Sequence, residues 1–230
     1  MDNRYPMAGP RRLAGHIHGL IMAWPPLRRA ATRMSLYVLE SRPRSPTHIL
    51  LGPARGMFRG QIGSRELLRL VDALEAANVG FWLAGGWGVD ALVGNQTRRH
   101  DDLDVVIDDF ETGAPTACRA LAALGFRLLD ARRHAIWMPD RWHLRNDTMS
   151  QVDLLSIDWD LLSTALGVQA SNGSGSRSDA LRRVAFAEGT VDGRSVPCLS
   201  ARVQVLYHSG FEPRAVHRHD VELVRSLIER

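Results

Sequence analysis

The chain contains no lysine: all 29 of its basic residues are arginine. An arginine-only set follows more readily from a GC-rich coding sequence than from function, so the net charge of +4 does not by itself announce a nucleic-acid partner. Positive charge is also missing where such a partner would need it. Residues 1–62 hold ten arginines against Asp2 and Glu40, whereas residues 63–230 hold 19 arginines against 23 acids. A nucleic-acid groove places excess positive charge on the folded body, and this body is mildly acidic. Cysteine is scarce. Cys118 and Cys198 stand far apart with no CxxC spacing, which fits two reduced thiols in a cytoplasmic protein better than a disulfide framework or a zinc site. No apolar run approaches the ~18 residues of a membrane helix. After Arg11-Arg12 the stretch LAGHIHGLIMAW resembles the apolar part of a signal peptide. It carries two histidines, and Pro25-Pro26 occupy the place of a small-residue cleavage site, so secretion is not expected.

What is present is enough for a core: 230 residues, 45% of them hydrophobic. Residues 1–62 read as an Arg/Pro-rich extension expected to be disordered, because six prolines from Pro10 to Pro53 interrupt every candidate element. Met34 and Met57 offer alternative starts, and an arm for an acidic partner is the competing reading. Residues 63–230 read as the folded domain. Ser64 suits an N-cap, and Leu67, Leu70, Val71 and Leu74 recur at helical spacing up to Asn78–Gly80. A strand to Ala84, a Gly-Gly turn, a short helix to Leu92 and a strand to Ile107 follow. The spacing then predicts a helix over Pro115–Leu124 and strands at Phe126–Leu129, His134–Met138, Trp142–Arg145 and Val152–Ile157. Ser171–Ser178 reads as a flexible loop. Strands are expected around Arg183–Ala187 and Ser195–Cys198 about a Gly189/Gly193 turn. A helix capped by Ser200 runs through Tyr207, and a last helix begins near His217 with Val221, Val224, Leu227 and Ile228 as its buried stripe. The fold class is α+β: a small mixed sheet with flanking helices and C-terminal helices. A dinucleotide-binding fold fits poorly, since the glycines read G-G-x-G rather than G-x-G-x-x-G.

The chemistry gathers in Phe81–Asp108. Gly85-Gly86 present bare backbone N–H groups at a helix entrance, where phosphates bind. Asp102 and Asp104 stand two apart in a strand and project to one face. Two carboxylates so close repel and lose hydration, and a divalent cation is the usual compensation. Arg98 or Arg99 can fork onto phosphate oxygens. Asp153, alone in an apolar strand, is the best third carboxylate, because a buried acid is costly unless coordinated or paired. Asp90 is expected to tie the loop, His100 to orient the strand entrance, and Trp82 and Trp87 to pack.

These motifs resemble the small antibiotic nucleotidyltransferases of the DNA polymerase β-like superfamily, of the lincosamide and aminoglycoside 2″ types. The likeness runs through Trp82-Leu-x-Gly-Gly-Trp-Gly-Val-Asp90, Arg98-x-His100, Asp102-Leu-Asp104, Trp137-Met-Pro139, Pro197-Cys-Leu-Ser200 and His208-Ser-Gly-Phe-Glu-Pro213. It implies the polymerase β-like nucleotidyltransferase fold and transfer of a nucleoside monophosphate, from ATP or another nucleoside triphosphate, to a hydroxyl of a small molecule. It further implies that Asp102 and Asp104 bind magnesium and that Asp153 completes the metal triad and can serve as base. The family often reads Asp-Leu-His-Pro on the third strand, where this chain has Leu155, and it usually has an aspartate where His217 precedes Arg218-His219-Asp220. Two further readings stay open on the residues: a protein or RNA acceptor, and nucleotide binding without turnover.

Overall fold

A computed structural model describes residues 60–133, 138–168, 177–208 and 215–229. The expectation of disorder in the N-terminal extension therefore falls almost wholly outside the described residues. Its last residues already belong to the body: Ile62 is 1% exposed and its N–H donates to the His100 carbonyl, while the Gly60 N–H donates to that of Met149.

In chain order the elements are α1 (Ser64–Ala76), β1 (Phe81–Ala84), α2 (Gly85–Val93), β2 (Asp102–Ile107), α3 (Phe110–Ala122), β3 (Arg127–Arg133) and β4 (Asp140–Arg145). They continue with β5 (Gln151–Leu155), α4 (Trp159–Leu166), α5 (Arg177–Ala185), β6 (Phe186–Val191), β7 (Arg194–Leu199), α6 (Ala201–His208) and α7 (Ala215–Ile228). The strands form one mixed sheet in the order β3-β4-β5-β2-β1-β7-β6. β1 runs antiparallel to β2, and β2 runs parallel to β5. Because the strands on either side of α2 are antiparallel, no βαβ unit forms, and the α+β reading holds.

Alternation along β2 sorts its side chains between two layers. Leu103, Val105 and Ile107 face a core completed by Leu67, Leu70 and Leu74 of α1, Ala117 and Leu121 of α3, and Val152 and Leu154 of β5. Val106 faces the opposite layer with Ala84, Leu155, Leu162, Leu181, Leu199 and Val203. Asp102 and Asp104 share the face of Val106. The α1 stripe is buried as its periodicity predicts.

Several boundaries differ from expectation. α3 starts five residues before Pro115, because Asp109 begins it and accepts a hydrogen bond from the Thr112 hydroxyl at 2.7 Å. The proline sits one turn in, where it gives up one intrahelical bond. α4 was not anticipated. Asp158 caps it by accepting from the Leu161 N–H at 3.0 Å, and Gly167 closes it at φ +66°. Arg183–Ala185, expected as strand, end α5, and of the expected Gly189/Gly193 turn only Gly193, with Asp192, makes the tight connection between β6 and β7. Gly189 lies within β6, where an added methyl would strike the Ala91 backbone at 2.6 Å, so its bareness lets α2 pack on the sheet. α7 begins at Ala215, before His217. Its buried residues include Asp220 and Val224, while Ile228, expected in the stripe, is 44% exposed. Residues 134–137 of the expected strand His134–Met138, and 171–176 of the expected loop, lie outside the described residues.

Candidate active site

β1 ends at Ala84, in register with Asp104 of β2, and the chain turns directly into α2 through Gly85. Gly85 has φ +58°, a conformation that disfavours any side chain. A methyl there would stand 3.1 Å from Asp104 Cγ and closer still to Oδ2. The glycine thus lets the carboxylate sit against the start of a helix whose first N–H groups have no intrahelical partner. Gly86 is packed beneath Arg98 and the His100 ring.

The turn between α2 and β2 is tied around Asp90, as the sequence suggested. Asp90 accepts from the Thr97 N–H at 3.0 Å and the Thr97 hydroxyl at 2.6 Å, and its Oδ2 lies 2.6 Å from His100 Nε2. Both Asp90 and His100 are buried, and the His100 ring packs on Trp87. Arg98, expected to fork onto phosphate oxygens, is paired within the chain. It forks onto the fully buried Asp220 of α7, with Nε 2.9 Å from Oδ1 and Nη2 2.7 Å from Oδ2, and Nη1 donates to the Arg99 carbonyl. A carboxylate without solvent requires a counter-charge, and Asp220 takes the arginine for that purpose. Burial opposes the Arg98 charge, yet the Asp220 hydrogen bonds and charge raise its pKa above the ordinary value.

The acids converge as the strand register dictates. Asp104 pairs in register with Asp153 of β5, and Asp102 with Gln151. Directly paired residues point to the same side of a sheet, so Asp102, Asp104 and Asp153 share one face. Burial, then the charges of Asp102 and Asp153, push the Asp104 pKa well above the carboxylate range; Arg141 and a hydrogen bond from the Tyr207 hydroxyl offset part of this. Burial and the charges of Asp104 and Asp153 also push Tyr207 well up.

Asp153 has the opposite environment. It is 3% exposed, yet its pKa is lowered: burial opposes the anion, but hydrogen bonds with His143 and Arg141 and their charges prevail. His143 Nδ1 is 2.7 Å from Oδ1, and Arg141 Nη2 donates to Oδ2. Both oxygens are therefore engaged. Among the described residues no three His, Cys, Asp or Glu side chains are already arranged to hold a metal ion. The two cysteines are unbonded thiols, with burial raising Cys118 to about 11 and Cys198 to about 12.

Sequence reasoning missed Arg141, His143, Tyr207 and Asp220. Arg141 and His143 carried a readable signal, being two apart in a strand beside that of Asp153. Asp220 and Tyr207 carried none, because helix packing alone brings them to the sheet. Leu155, where the resemblance led us to expect histidine, is buried in the apolar layer with Val106 and Ala84.

A glycine turn seated against an aspartate pair, on a mixed sheet with a third acid in register, defines a nucleotidyltransferase. A profile of the aminoglycoside-2''-adenylyltransferase family matches residues 66–224. The chain belongs to that family of antibiotic nucleotidyltransferases. It is 28% identical over 171 residues to a lincosamide resistance protein of Staphylococcus haemolyticus, an alignment covering 74% of this chain and 99% of that protein. A 2''-aminoglycoside nucleotidyltransferase of Escherichia coli is 32% identical over 62 residues, 27% of this chain and 34% of the relative. The crystal structure of the lincosamide antibiotic adenylyltransferase LnuA, lincomycin-bound, superposes with a TM-score of 0.53 at 27% identity, covering 73% of this chain and 99% of that one. The fold also matches ANT(2'')-Ia in complex with adenylyl-2''-tobramycin, at a TM-score of 0.52 and 17% identity, covering 72% of this chain and 88% of that one.

Proposed function

We propose that this protein is a cytoplasmic, magnesium-dependent enzyme that moves AMP from ATP to a hydroxyl of a lincosamide or aminoglycoside antibiotic. The observation that carries the reading is the seating of Asp104 against Gly85, with Asp102 beside it and Asp153 across the strand. Three carboxylates share this face, and the arginine among them, Arg141, is committed to Asp153. That excess of negative charge fits a divalent cation. Magnesium commonly takes one or two carboxylates and completes its shell with phosphate oxygens and water, so Asp102 and Asp104 suffice to hold it. When bound, it would neutralise the triphosphate and the charge that develops as pyrophosphate leaves.

The chain's own residues supply the rest. The open N–H groups at the start of α2 face the anionic substrate, and Gly85 keeps that approach clear. Asp90, Thr97 and His100 hold the turn that delivers Asp102 and Asp104. The Tyr207 hydroxyl orients Asp104 from α6. The acceptor's preference for antibiotics rests on the relatives: one is named a lincosamide resistance protein, and another is solved with an adenylylated aminoglycoside.

Incubation with ATP, magnesium and either lincomycin or tobramycin tests the reading. Release of pyrophosphate and an acceptor heavier by one adenylyl group is the expected outcome, lost in Asp104→Ala. Equal product from wild type and Asp104→Ala would remove the site from the reaction. Product with neither acceptor class would refute the substrate assignment.

A further inference from the structure

Asp220 fixes Arg98 without using all of its donors. A guanidinium carries five N–H groups in a rigid plane. Nε and one Nη2 hydrogen go to the two oxygens of Asp220, and one Nη1 hydrogen goes to the Arg99 carbonyl. That leaves two N–H groups, one on each terminal nitrogen. The arginine side chain is 23% exposed, whereas Asp220 is fully buried. Gly86 fixes its place relative to α2: an added methyl there would strike Arg98 Nη2 and stand 2.6 Å from His100 Nδ1. The Cα–Cβ bonds of a helix tilt toward its N-terminus. The guanidinium therefore lies over the first turn of α2, at the end whose N–H groups have no intrahelical partner. Burial opposes its charge, while Asp220 and the charges of Asp90 and Asp102 favour it. The sheet order β5-β2-β1 puts this end of α2 on one side of Asp104, with Asp153 and its partner Arg141 on the other.

We propose that Arg98 binds the triphosphate of ATP through these two remaining N–H groups and that Asp220 is its positioning residue; the proposal rests on the nucleotidyl-transfer reading above. The phosphates held here are the β and γ, which leave as pyrophosphate, because the α-phosphorus must stand between the Asp102/Asp104 pair and the acceptor. Guanidinium N–H groups bond phosphate oxygens strongly and in a defined geometry. A free arginine would lose side-chain freedom on taking up a phosphate, and the buried carboxylate has already removed that freedom. Asp220 thereby brings α7 into the nucleotide site through an arginine of the α2–β2 turn.

Calorimetric titration with pyrophosphate, ATP and AMP, each with magnesium, tests this without requiring turnover. Arg98→Gln should bind pyrophosphate and ATP about 10–100-fold more weakly than wild type, the loss expected of a hydrogen bond between charged groups. AMP, which lacks the β- and γ-phosphates, should bind as it does to wild type. Asp220→Asn keeps the arginine but loosens it, and should lose an intermediate amount of pyrophosphate affinity. Because Arg98→Gln leaves a buried acid unpaired, the double variant Arg98→Met with Asp220→Leu accompanies it: an apolar pair can replace a buried ion pair without loss of stability. The double variant should melt near wild type and still bind pyrophosphate as weakly as Arg98→Gln. A folded double variant with wild-type pyrophosphate affinity overturns the proposal and leaves the pair a purely structural one. Variants that lose AMP affinity as much as pyrophosphate affinity overturn it too, as does wild type that binds neither ATP nor pyrophosphate. Wild type that binds ATP yet releases no pyrophosphate with lincomycin or tobramycin refutes the transferase reading instead, and the contrast between pyrophosphate and AMP still decides the role of Arg98.

Discussion

Replacing Gly85 by alanine should separate the strain of a backbone conformation from the displacement of a functional carboxylate. At φ +58° an L-residue costs about 1–2 kcal/mol. For a chain of this size each kcal/mol lowers Tm by roughly 2–4 °C, so Gly85→Ala should melt about 2–8 °C early. The added methyl also falls within 3.1 Å of Asp104 Cγ and nearer to Oδ2. To restore ordinary contact the carboxylate must retreat by roughly 1 Å. A misplacement of that size at a reacting centre can cost about 10²-fold in rate. Gly125→Ala supplies the control. Gly125 also has a left-handed conformation, at φ +85°, but a methyl there meets nothing within 4 Å. It should lower Tm comparably and leave pyrophosphate release unchanged. The readouts are thermal denaturation and the rate of pyrophosphate production with saturating ATP and acceptor. If Gly85→Ala kept wild-type turnover, or if Gly125→Ala lost as much, the idea that Gly85 exists to admit Asp104 would be refuted.

Further perturbations probe the charges around the site. Asp220→Asn leaves Arg98 without its buried counter-ion; breaking such a pair costs about 3 kcal/mol at the low end and should lower Tm by roughly 6–12 °C. Asp104→Asn should abolish transfer yet raise stability at neutral pH, because a carboxyl whose folded pKa is raised stabilises below its unfolded value and loses that contribution as pH rises through the folded one. A Tm at neutral pH equal to or below that of wild type would contradict it. Asp153 carries the opposite sign: its folded pKa is lowered, so its contribution is complete above the ordinary carboxylate value and disappears as pH falls through the lowered one. Denaturation of Asp153→Asn across acid pH should therefore show a smaller loss of stability on acidification than wild type shows. Trp82→Ala removes a ring stacked on Phe186 at 3.6 Å and set edge-on to Trp159; a loss of about 3 kcal/mol or more in denaturant titration is expected.

The parts of the site that were legible in the sequence are those fixed by local geometry. Gly85-Gly86 before a helix and Asp102/Asp104 at a period of two both report what one or two elements do on their own. The α1 stripe was readable for the same reason. Asp153 was found from the cost of an acid in an apolar strand, a physical argument that needed no partner to be known. What it is paired with was not readable, because Arg141 and His143 meet it only through the β4–β5 register. The partner of Arg98 was not readable for a related reason. The arginine's charge invited a phosphate, but its partner Asp220 lies 122 positions away on a helix whose stripe was read from apolar residues alone. The missed α4 follows from reading the segment for apolar runs while overlooking Asp158 as a cap, and the α5–β6 boundary from treating Phe186 as continuous with the arginines before it. Proline misplaced the start of α3, since the Asp109–Thr112 start outweighs the loss of one hydrogen bond one turn later.

Asp104 and Asp153 face one another in register, yet the fold treats them in opposite ways. Asp153 is surrounded by donors that favour its charge, and it engages both Arg141 and His143. Asp104 is given a hydroxyl from Tyr207, a glycine with no side chain and the more distant charge of Arg141, and these are outweighed by burial and two neighbours of its own sign. Its charge is therefore costly until something positive arrives. A carboxylate that the protein itself declines to neutralise is poised for an external cation, whereas one already saturated by arginine and histidine gains little from it. Pairs of titratable groups pushed apart by their surroundings separate roles in this way. Asp153, read from the sequence as the third carboxylate because it stands alone in an apolar strand, is the acid that Arg141 and His143 engage. The more exposed pair on β2 is left to meet the substrate.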